Sequence, residues 1–155
     1  MTTTTTDSNN ETKRLIQTLL EKMGVAGAVD VMTTTENVQY TIRTPEGGLL
    51  IGENGKHLLA LNHLVKKMTE RAAPSNPLPI LVDVNDYQTK RIEELRDLAR
   101  MNAQRARYFK RPVTMQPMSA FERRVIHLAL ASVPDIVTQS IGEGPQRRVV
   151  IKMYE

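Results

Sequence analysis

The chain has 155 residues, of which 40% are apolar, so it is large enough for one domain or two small ones. It has no cysteine, which excludes disulfide bonds, thiolate zinc sites and cysteine nucleophiles. Residues 1–86 carry eight Lys/Arg and ten Asp/Glu, whereas residues 87–155 carry thirteen and seven. The C-terminal half is therefore the half whose charge suits a polyanion.

Two further features narrow the class of protein. Aromatic residues make up 4% of the chain and tryptophan is absent, which counts against an RRM-like or OB-fold surface built on rings. Residues 1–10 are polar and Thr-rich, without the apolar segment of a signal peptide, and no apolar run is long enough to span a membrane. We expect a cytoplasmic protein whose residues 1–10 form a disordered tail.

The first half predicts the order helix, strand, strand, helix, helix, strand. Apolar residues at helical spacing indicate the helices, alternating β-branched residues indicate the strands, and three prolines indicate a loop before the last strand. The predicted elements are helices over 11–23, 49–51 and 56–71, strands over 25–35, 38–44 and 79–84, and a loop over 73–79.

The second half predicts the order helix, strand, helix, strand, strand. A long charged helix is followed by a Pro-terminated break, and Ser119 with Glu122 has the spacing of a capping box that begins the second helix. Gly142–Pro145 is typical of a hairpin turn. The predicted elements are helices over 87–109 and 120–132 and strands over 113–116, 137–141 and 147–153.

The segment Gly52-Glu53-Asn54-Gly55 lies between two predicted helices. Its glycines let the backbone approach a ligand closely, and the N-terminus of the next helix, which begins at Lys56, favours a phosphate. The segment is not a P-loop or a dinucleotide-binding fingerprint, because the residues that would complete those motifs are missing. A plain helix–helix turn has the same pattern, and Glu53 is acidic and would repel a phosphate.

The second motif is an Arg-x-x-x-His spacing on the helix that follows Ser119. Arg123 and His127 are one turn apart on this helix, and we expect Phe121, Val125 and Leu128 to face the core, leaving the pair exposed. Arginine offers a fork of donors to a phosphate and a planar face to a base. The alternative is a solvated helix face with an incidental histidine. The spacing of the chain's three histidines does not favour a metal site.

The two motifs occur in an order that resembles a known family. The segment Ile51–Lys56, in its predicted context of helices and strands, resembles the GxxG loop of a type II KH domain. The run Pro117–Leu130 together with Ser140–Ile151 resembles the R-three-H domain of the bacterial Jag family, also called SpoIIIJ-associated or KhpB/EloR. That domain is named for the spacing matched by Arg123 and His127, and the family places a KH domain directly before it.

The resemblance covers almost the whole chain and implies an α+β protein, with a type II KH domain over residues 11–85 and an R-three-H domain over residues 86–155. It implies binding of single-stranded nucleic acid, with RNA the expected target in bacterial RNA regulation, and neither catalysis, a cofactor nor a metal. The nucleic-acid-binding residues that it implies are Gly52, Glu53, Asn54, Gly55, Lys56, Arg123, Arg124, His127, Arg147 and Arg148.

The resemblance also implies a protein partner, a small KH-domain protein or a second copy of the chain. This leaves an alternative function, a docking adaptor whose KH domain binds that partner and for which nucleic acid is secondary. Full-length Jag proteins have an additional N-terminal Jag-N domain and a linker, whereas here about ten polar residues precede the KH segment. We therefore do not expect the roles tied to that domain.

Overall fold

The computed structural model of the protein describes residues 2–72 and 78–154, and the chain divides into two compact units, Met1–Gln88 and Thr89–Glu155. The predicted loop over 73–79 falls mostly on residues 73–77, which lie outside the described residues. The α+β fold class predicted from the sequence is confirmed.

The first unit has the predicted order of elements. Its helices are α1 (Thr2–Lys22), α2 (Gly47–Ile51) and α3 (Lys56–Ala72), its strands are β1 (Ala28–Thr33), β2 (Val38–Arg43) and β3 (Ile80–Val84), and a 3-10 turn (Glu53–Gly55) lies between α2 and α3. The three strands form one sheet in the order β1-β2-β3, with β1 and β2 antiparallel and β2 and β3 parallel. A parallel pair requires a crossover connection, and α2 and α3 lie in that connection.

The core of the first unit lies on one face of this sheet. Alternate residues of the central strand, Val38, Tyr40 and Ile42, are fully buried, as the two-residue period of a strand requires. They pack with buried residues of the two long helices, including Ile16 and Val65. The turn Glu53–Gly55 therefore lies between helices that pack on this sheet.

The N-terminal residues differ from the sequence prediction. We expected residues 1–10 to be disordered, but α1 begins at Thr2, so the helix takes in the Thr-rich segment. Two tertiary contacts help to explain the extension: the Asn9 amide donates a hydrogen bond to Thr33 Oγ1 at 3.2 Å, and the Tyr40 hydroxyl donates to the Asn9 carbonyl at 3.4 Å. Tertiary contacts can override a weak local helix propensity.

The second unit packs two helices on one face of an antiparallel sheet. Its elements are α4 (Tyr87–Phe109, whose first two residues fall in the first unit), β4 (Val113–Thr114), α5 (Ala120–Leu130), β5 (Ile136–Ile141) and β6 (Arg148–Met153). The strand order is β4-β6-β5, so the last strand of the chain lies in the centre. Val149 and Ile151 of β6 are fully buried among residues of both helices, including Leu95 and Ile126. The residues that alternate with these along each strand point to the opposite face of the sheet.

Candidate nucleic-acid interfaces

The segment Gly52–Gly55, which we call the glycine loop, has a backbone that only glycine tolerates at its first position. Gly52 has φ +70° and ψ −179°, a region that is essentially restricted to glycine. A Cβ added there would lie 2.5 Å from Cγ of His57, well inside van der Waals contact. Asn54 also adopts a left-handed conformation, with φ 54°. The path of the loop is therefore set by backbone geometry.

Neighbouring side chains hold the glycine loop from both sides. His57 Nδ1 lies 2.7 Å from the Leu49 carbonyl, and because a carbonyl only accepts, this nitrogen carries the proton. A Cβ at Gly55, whose φ is +77°, would lie 3.2 Å from the ring of Tyr87. The Gly52 N–H donates to the Gly48 carbonyl at 2.9 Å. The two hydrogen bonds tie the loop and its flank to α2, and the Tyr87 ring occupies the space that a side chain at position 55 would need.

The charge on the glycine loop is mixed. The side chains of Glu53, Asn54 and Lys56 are all exposed, and the helix α3 begins at Lys56. The N-terminus of a helix carries unpaired N–H groups and a partial positive charge that attract anions. The Glu53 carboxylate opposes that attraction, so the loop offers a phosphate both favourable and unfavourable groups.

The helix α5 begins with the predicted capping box. The Ser119 hydroxyl accepts a hydrogen bond from the Glu122 N–H, and the Glu122 carboxylate accepts one from the Ser119 N–H at 3.0 Å. The other oxygen of Glu122 accepts from the Arg91 guanidinium of α4 at 2.8 Å. Glu122 is thus engaged on both oxygens.

His127 is half-buried and is bonded through both of its ring nitrogens. Nδ1 lies 2.6 Å from the Thr138 hydroxyl and Nε2 lies 2.9 Å from the Ser140 hydroxyl, both on the side of β5 that faces α5. Burial, and after it the positive charge of Arg123, lower the pKa of His127. At pH 7 the ring is neutral, so one nitrogen donates to a hydroxyl and the other accepts from one.

Arg123 and Arg147 are brought to one place by a single residue of the loop before α5. The Arg123 guanidinium donates to the Met118 carbonyl at 2.8 Å, and the Met118 N–H donates to the Arg147 carbonyl at 3.2 Å. The Arg147 guanidinium is exposed and donates to the Gly142 carbonyl of the β5–β6 hairpin. The Arg123 side chain and the Arg147 main chain therefore both bond to Met118 beside the start of α5, and Arg123 lies one turn of helix from His127.

Arg124 and Arg148 lie elsewhere. Arg124 is exposed on α5, next to Arg123 in the sequence but on a different side of the helix. Arg148 alternates with the buried Val149 on β6, so its side chain leaves the sheet on the face opposite to α5. There it donates to the Gln146 side chain and carbonyl at 3.1 Å. The adjacent residues Arg147 and Arg148 therefore bond to different partners, Gly142 and Gln146.

The face that α5 buries differs from the sequence prediction. We expected Phe121, Val125 and Leu128 to face the core, but Leu128 is 65% exposed and Phe121 is 44% exposed, and only Val125 packs partly against the core. The fully buried residues are Ile126 and Leu130. The expectation that Arg123 and His127 are exposed is also wrong, because both are half-buried.

Comparison with known proteins adds to this geometry. The family model described as the R-three-H domain matches residues 93–153. The protein named "RNA-binding protein KhpB" from Bacillus subtilis is 33% identical over 147 residues, which cover 94% of this chain and 70% of the relative. The chain belongs to the KhpB family.

Other KhpB relatives extend the match. The relative of the same name from Clostridium symbiosum is 33% identical over 131 residues, and the one from Streptococcus pneumoniae strain D39 is 30% identical over 141 residues. The aligned residues cover 84% and 91% of this chain but only 59% and 43% of those relatives. The chain thus spans between two fifths and two thirds of the length of some KhpB relatives.

The structure of this KhpB-family chain adds two residues that sequence reasoning missed. Thr138 and Ser140 supply the hydroxyls on both sides of His127. Their two-residue spacing on a predicted strand was a usable signal, because it places two polar side chains on the face that packs against a helix. In the part of the KhpB-family chain that the structure describes, no helix is long and apolar enough to cross a membrane.

Proposed function

We propose that this chain is a cytoplasmic protein that binds single-stranded RNA without catalysing a reaction. One observation carries the proposal: the Arg123 guanidinium and the Arg147 main chain both bond to Met118, near a His127 ring that is held on both sides by hydroxyls. The names of the relatives support RNA as the ligand, since each is called an RNA-binding protein.

The Arg–His site, defined here as Arg123, His127 and Arg147, grips the strand by charge and by shape. The guanidinium groups of Arg123 and Arg147 supply charge-assisted donors to phosphate oxygens. His127 has no free ring nitrogen, since Thr138 and Ser140 occupy both. Its contribution is therefore the flat face of the neutral ring, which a base can stack against, and a fixed position for the helix turn that carries Arg123.

The glycine loop holds a second stretch of backbone. The left-handed conformations at Gly52 and Gly55 let a phosphate approach the main chain, and the start of α3 directs N–H groups at it. Lys56 adds a positive charge and Glu53 subtracts one, so this module binds weakly by itself. Two weak modules on one chain gain affinity because binding of the first raises the effective concentration at the second.

The proposal is tested by titrating labelled oligouridine, the matching DNA single strand and an RNA duplex at two salt concentrations. We expect single-strand binding to weaken with a slope of log K against log salt of about −0.7 for each neutralised phosphate. The Arg123→Glu/His127→Ala variant is expected to lose about tenfold or more in affinity. Arg96→Glu is the charge control, because Arg96 lies on α4 and is paired with Glu93.

The loop is tested separately with Glu53→Asp/Asn54→Asp, which adds one negative charge beside the glycines. A loss of affinity in both variants would support two nucleic-acid modules. Absence of salt-sensitive binding to any single strand would contradict the proposal. A loss confined to the Arg123/His127 variant would instead support the docking function of the first unit.

That docking function is the second candidate, and the first unit has features that favour it. Glu53 is exposed at the tip of the glycine loop, residues 1–86 carry more acidic than basic residues, and Leu59 and Leu64 of α3 are exposed. A small KH-domain protein or a second copy of the chain is the partner proposed for this surface. Sedimentation velocity of the chain alone tests self-association, and Leu64→Asp should return any dimer to a monomer.

A further inference from the structure

The C-terminal end of α4 exposes two adjacent aromatic side chains. Tyr108 is 83% exposed and Phe109 is 64% exposed, although the same helix buries Leu95, Ala99 and Ala106 completely. The two rings pack edge to face, with 4.9 Å between centroids and 87° between planes. Nothing in the core of the second unit uses these rings, and neighbouring exposed aromatic residues are typical of an interaction surface.

The surroundings of this aromatic pair are strongly basic. Residues 98–116 contain five Lys/Arg and no Asp or Glu. Two of these cations are paired, Arg100 with Asp97 and Arg107 with Asp135. The other three are exposed, and no carboxylate of the described residues lies within ion-pair distance of them. These three are Arg105, Lys110 and Arg111.

Asp135 links Arg107, which directly precedes the aromatic pair, to the end of the sheet. Its two carboxylate oxygens accept hydrogen bonds from Arg107, which lowers the pKa of Asp135, and its carbonyl accepts from the Tyr154 N–H at 2.9 Å. Tyr154 follows β6 and is 71% exposed. The contacts tie the end of α4 to the start of β5 and to the end of β6, so a third exposed aromatic residue lies at the same end of the unit.

This end of the unit is separate from the Arg–His site. Asp135 precedes the first residue of β5, whereas Arg147 lies at the hairpin after its last residue. Six residues of strand span about 20 Å. The Arg123 and Arg147 side chains and the aromatic pair therefore lie at opposite ends of the β5–β6 pair, and His127 lies between them, opposite Thr138 and Ser140.

We propose that Tyr108 and Phe109, with Lys110 and Arg111, form a further contact surface for single-stranded nucleic acid. Bases stack on the exposed rings and the adjacent cations hold the phosphates, the combination that sequence-tolerant single-strand binding uses. The charge of the patch selects this ligand over an apolar protein surface, because Arg105, Lys110 and Arg111 are exposed and have no carboxylate of the described residues within ion-pair distance. The inference rests on the proposed function and extends the strand path beyond the Arg–His site.

The first test replaces both rings while keeping apolar surface. Tyr108→Leu/Phe109→Leu removes stacking but not hydrophobic contact, and we expect about a tenfold or greater loss of affinity for labelled oligouridine. Tyr108→Trp is expected to retain or improve the affinity. A melting curve of each variant checks that the fold is retained, as the exposure of both side chains leads us to expect.

The second test separates the cations from general charge loss. Lys110→Gln/Arg111→Gln should reduce the steepness of the salt dependence by about 1.4, two single-strand phosphate contacts. Lys66→Gln/Lys67→Gln is the matched control, because it removes the same charge from neighbouring lysines that are both paired with Glu70 on α3. The control should leave the salt dependence close to that of the unaltered chain.

The third test uses the absence of tryptophan from the sequence. In the Tyr108→Trp variant the new indole is the only one in the chain, and stacking of a base on it should quench its fluorescence as oligouridine is added. Unquenched fluorescence, with the leucine variant within about twofold of the unaltered affinity, would overturn the inference and leave the proposed function standing. Failure of the unaltered chain to bind any single strand would overturn both.

Discussion

The glycine loop and the Arg–His site differ in what fixes their geometry for binding a phosphate. The loop depends on backbone angles, since Gly52 occupies a region closed to other residues and its neighbours crowd the place of a Cβ. The Arg–His site depends on side chains held by other side chains, with His127 between two hydroxyls. A single methyl group should therefore damage the first, whereas the second responds to changes of charge or hydrogen bonding.

The largest effect on stability is expected from Gly52→Ala. The substitution forces alanine into a glycine-only conformation and places its Cβ against His57, which should cost about 1–3 kcal/mol of unfolding free energy. Denaturation followed by circular dichroism measures the loss. Gly48→Ala is the control, because Gly48 lies in α2 with open space around its Cβ position, and it should be neutral or slightly stabilising. Equal losses in both would refute the backbone account.

A smaller loss is expected when the start of α5 is altered. Ser119→Ala removes the hydroxyl that accepts from the Glu122 N–H, and loss of such a cap costs about 1 kcal/mol. Thermal unfolding measures it as a shift of a few degrees, by about 4–8 °C per kcal/mol for a unit of this size. Ser132→Ala, in the exposed turn after α5, is the control and should leave the melting temperature unchanged.

Removing the acid from the glycine loop should improve its binding. Glu53→Gln eliminates the repulsion between the exposed carboxylate and a nearby phosphate, worth about 1 kcal/mol at contact distance in water, so affinity for oligouridine should rise about threefold to fivefold at low salt. Glu36→Gln removes the same charge from the exposed turn between β1 and β2. An equal rise in both variants would show that net charge, and not the loop, is responsible.

The smallest effect is expected in the titration of His127. Burial and the charge of Arg123 lower its pKa in the folded chain, so the unfolded state binds the proton more readily. Stability from this group is complete above the unfolded pKa of about 6.5 and is lost as the pH falls below that value and through the lower folded pKa. NMR titration of the ring measures the pKa, which Arg123→Gln should raise. Arg124→Gln should raise this pKa less, since burial and Arg123, and not Arg124, lower the pKa of His127.

The sequence predicted where helices and strands begin and end better than it predicted which face of each element is buried. The limits of α4 and the capping box at Ser119 and Glu122 agree with the structure, because helix termini have local signals. The apolar residues of α5 form two stripes, one through Phe121 and Leu128 and one through Ile126 and Leu130, and periodicity alone does not choose between them. The polar face of β5 decides the outcome, because it places hydroxyls where His127 can be half-buried.

For the glycine loop, too, the sequence predicted the local structure but not the residues that surround it. The GxxG spacing indicated a tight turn, and the structure has left-handed backbone at Gly52, Asn54 and Gly55. The contacts that hold the turn come from Leu49 and Tyr87, and only the second of these is far from the loop in the sequence. A residue that is distant along the chain leaves no local pattern, which is why the place of Tyr87 beside Gly55 did not follow from the motif.

The double engagement of Glu122 has a consequence for how this chain varies among its relatives. One carboxylate closes the cap of α5 and also receives the Arg91 guanidinium from α4, with only 12% of the Glu122 side chain exposed. Loss of the acid would leave Arg91 without this partner, and loss of Arg91 would leave a largely buried carboxylate oxygen less satisfied. Positions 91 and 122 should therefore change together over evolutionary time, and an alignment of relatives should show covariation between them.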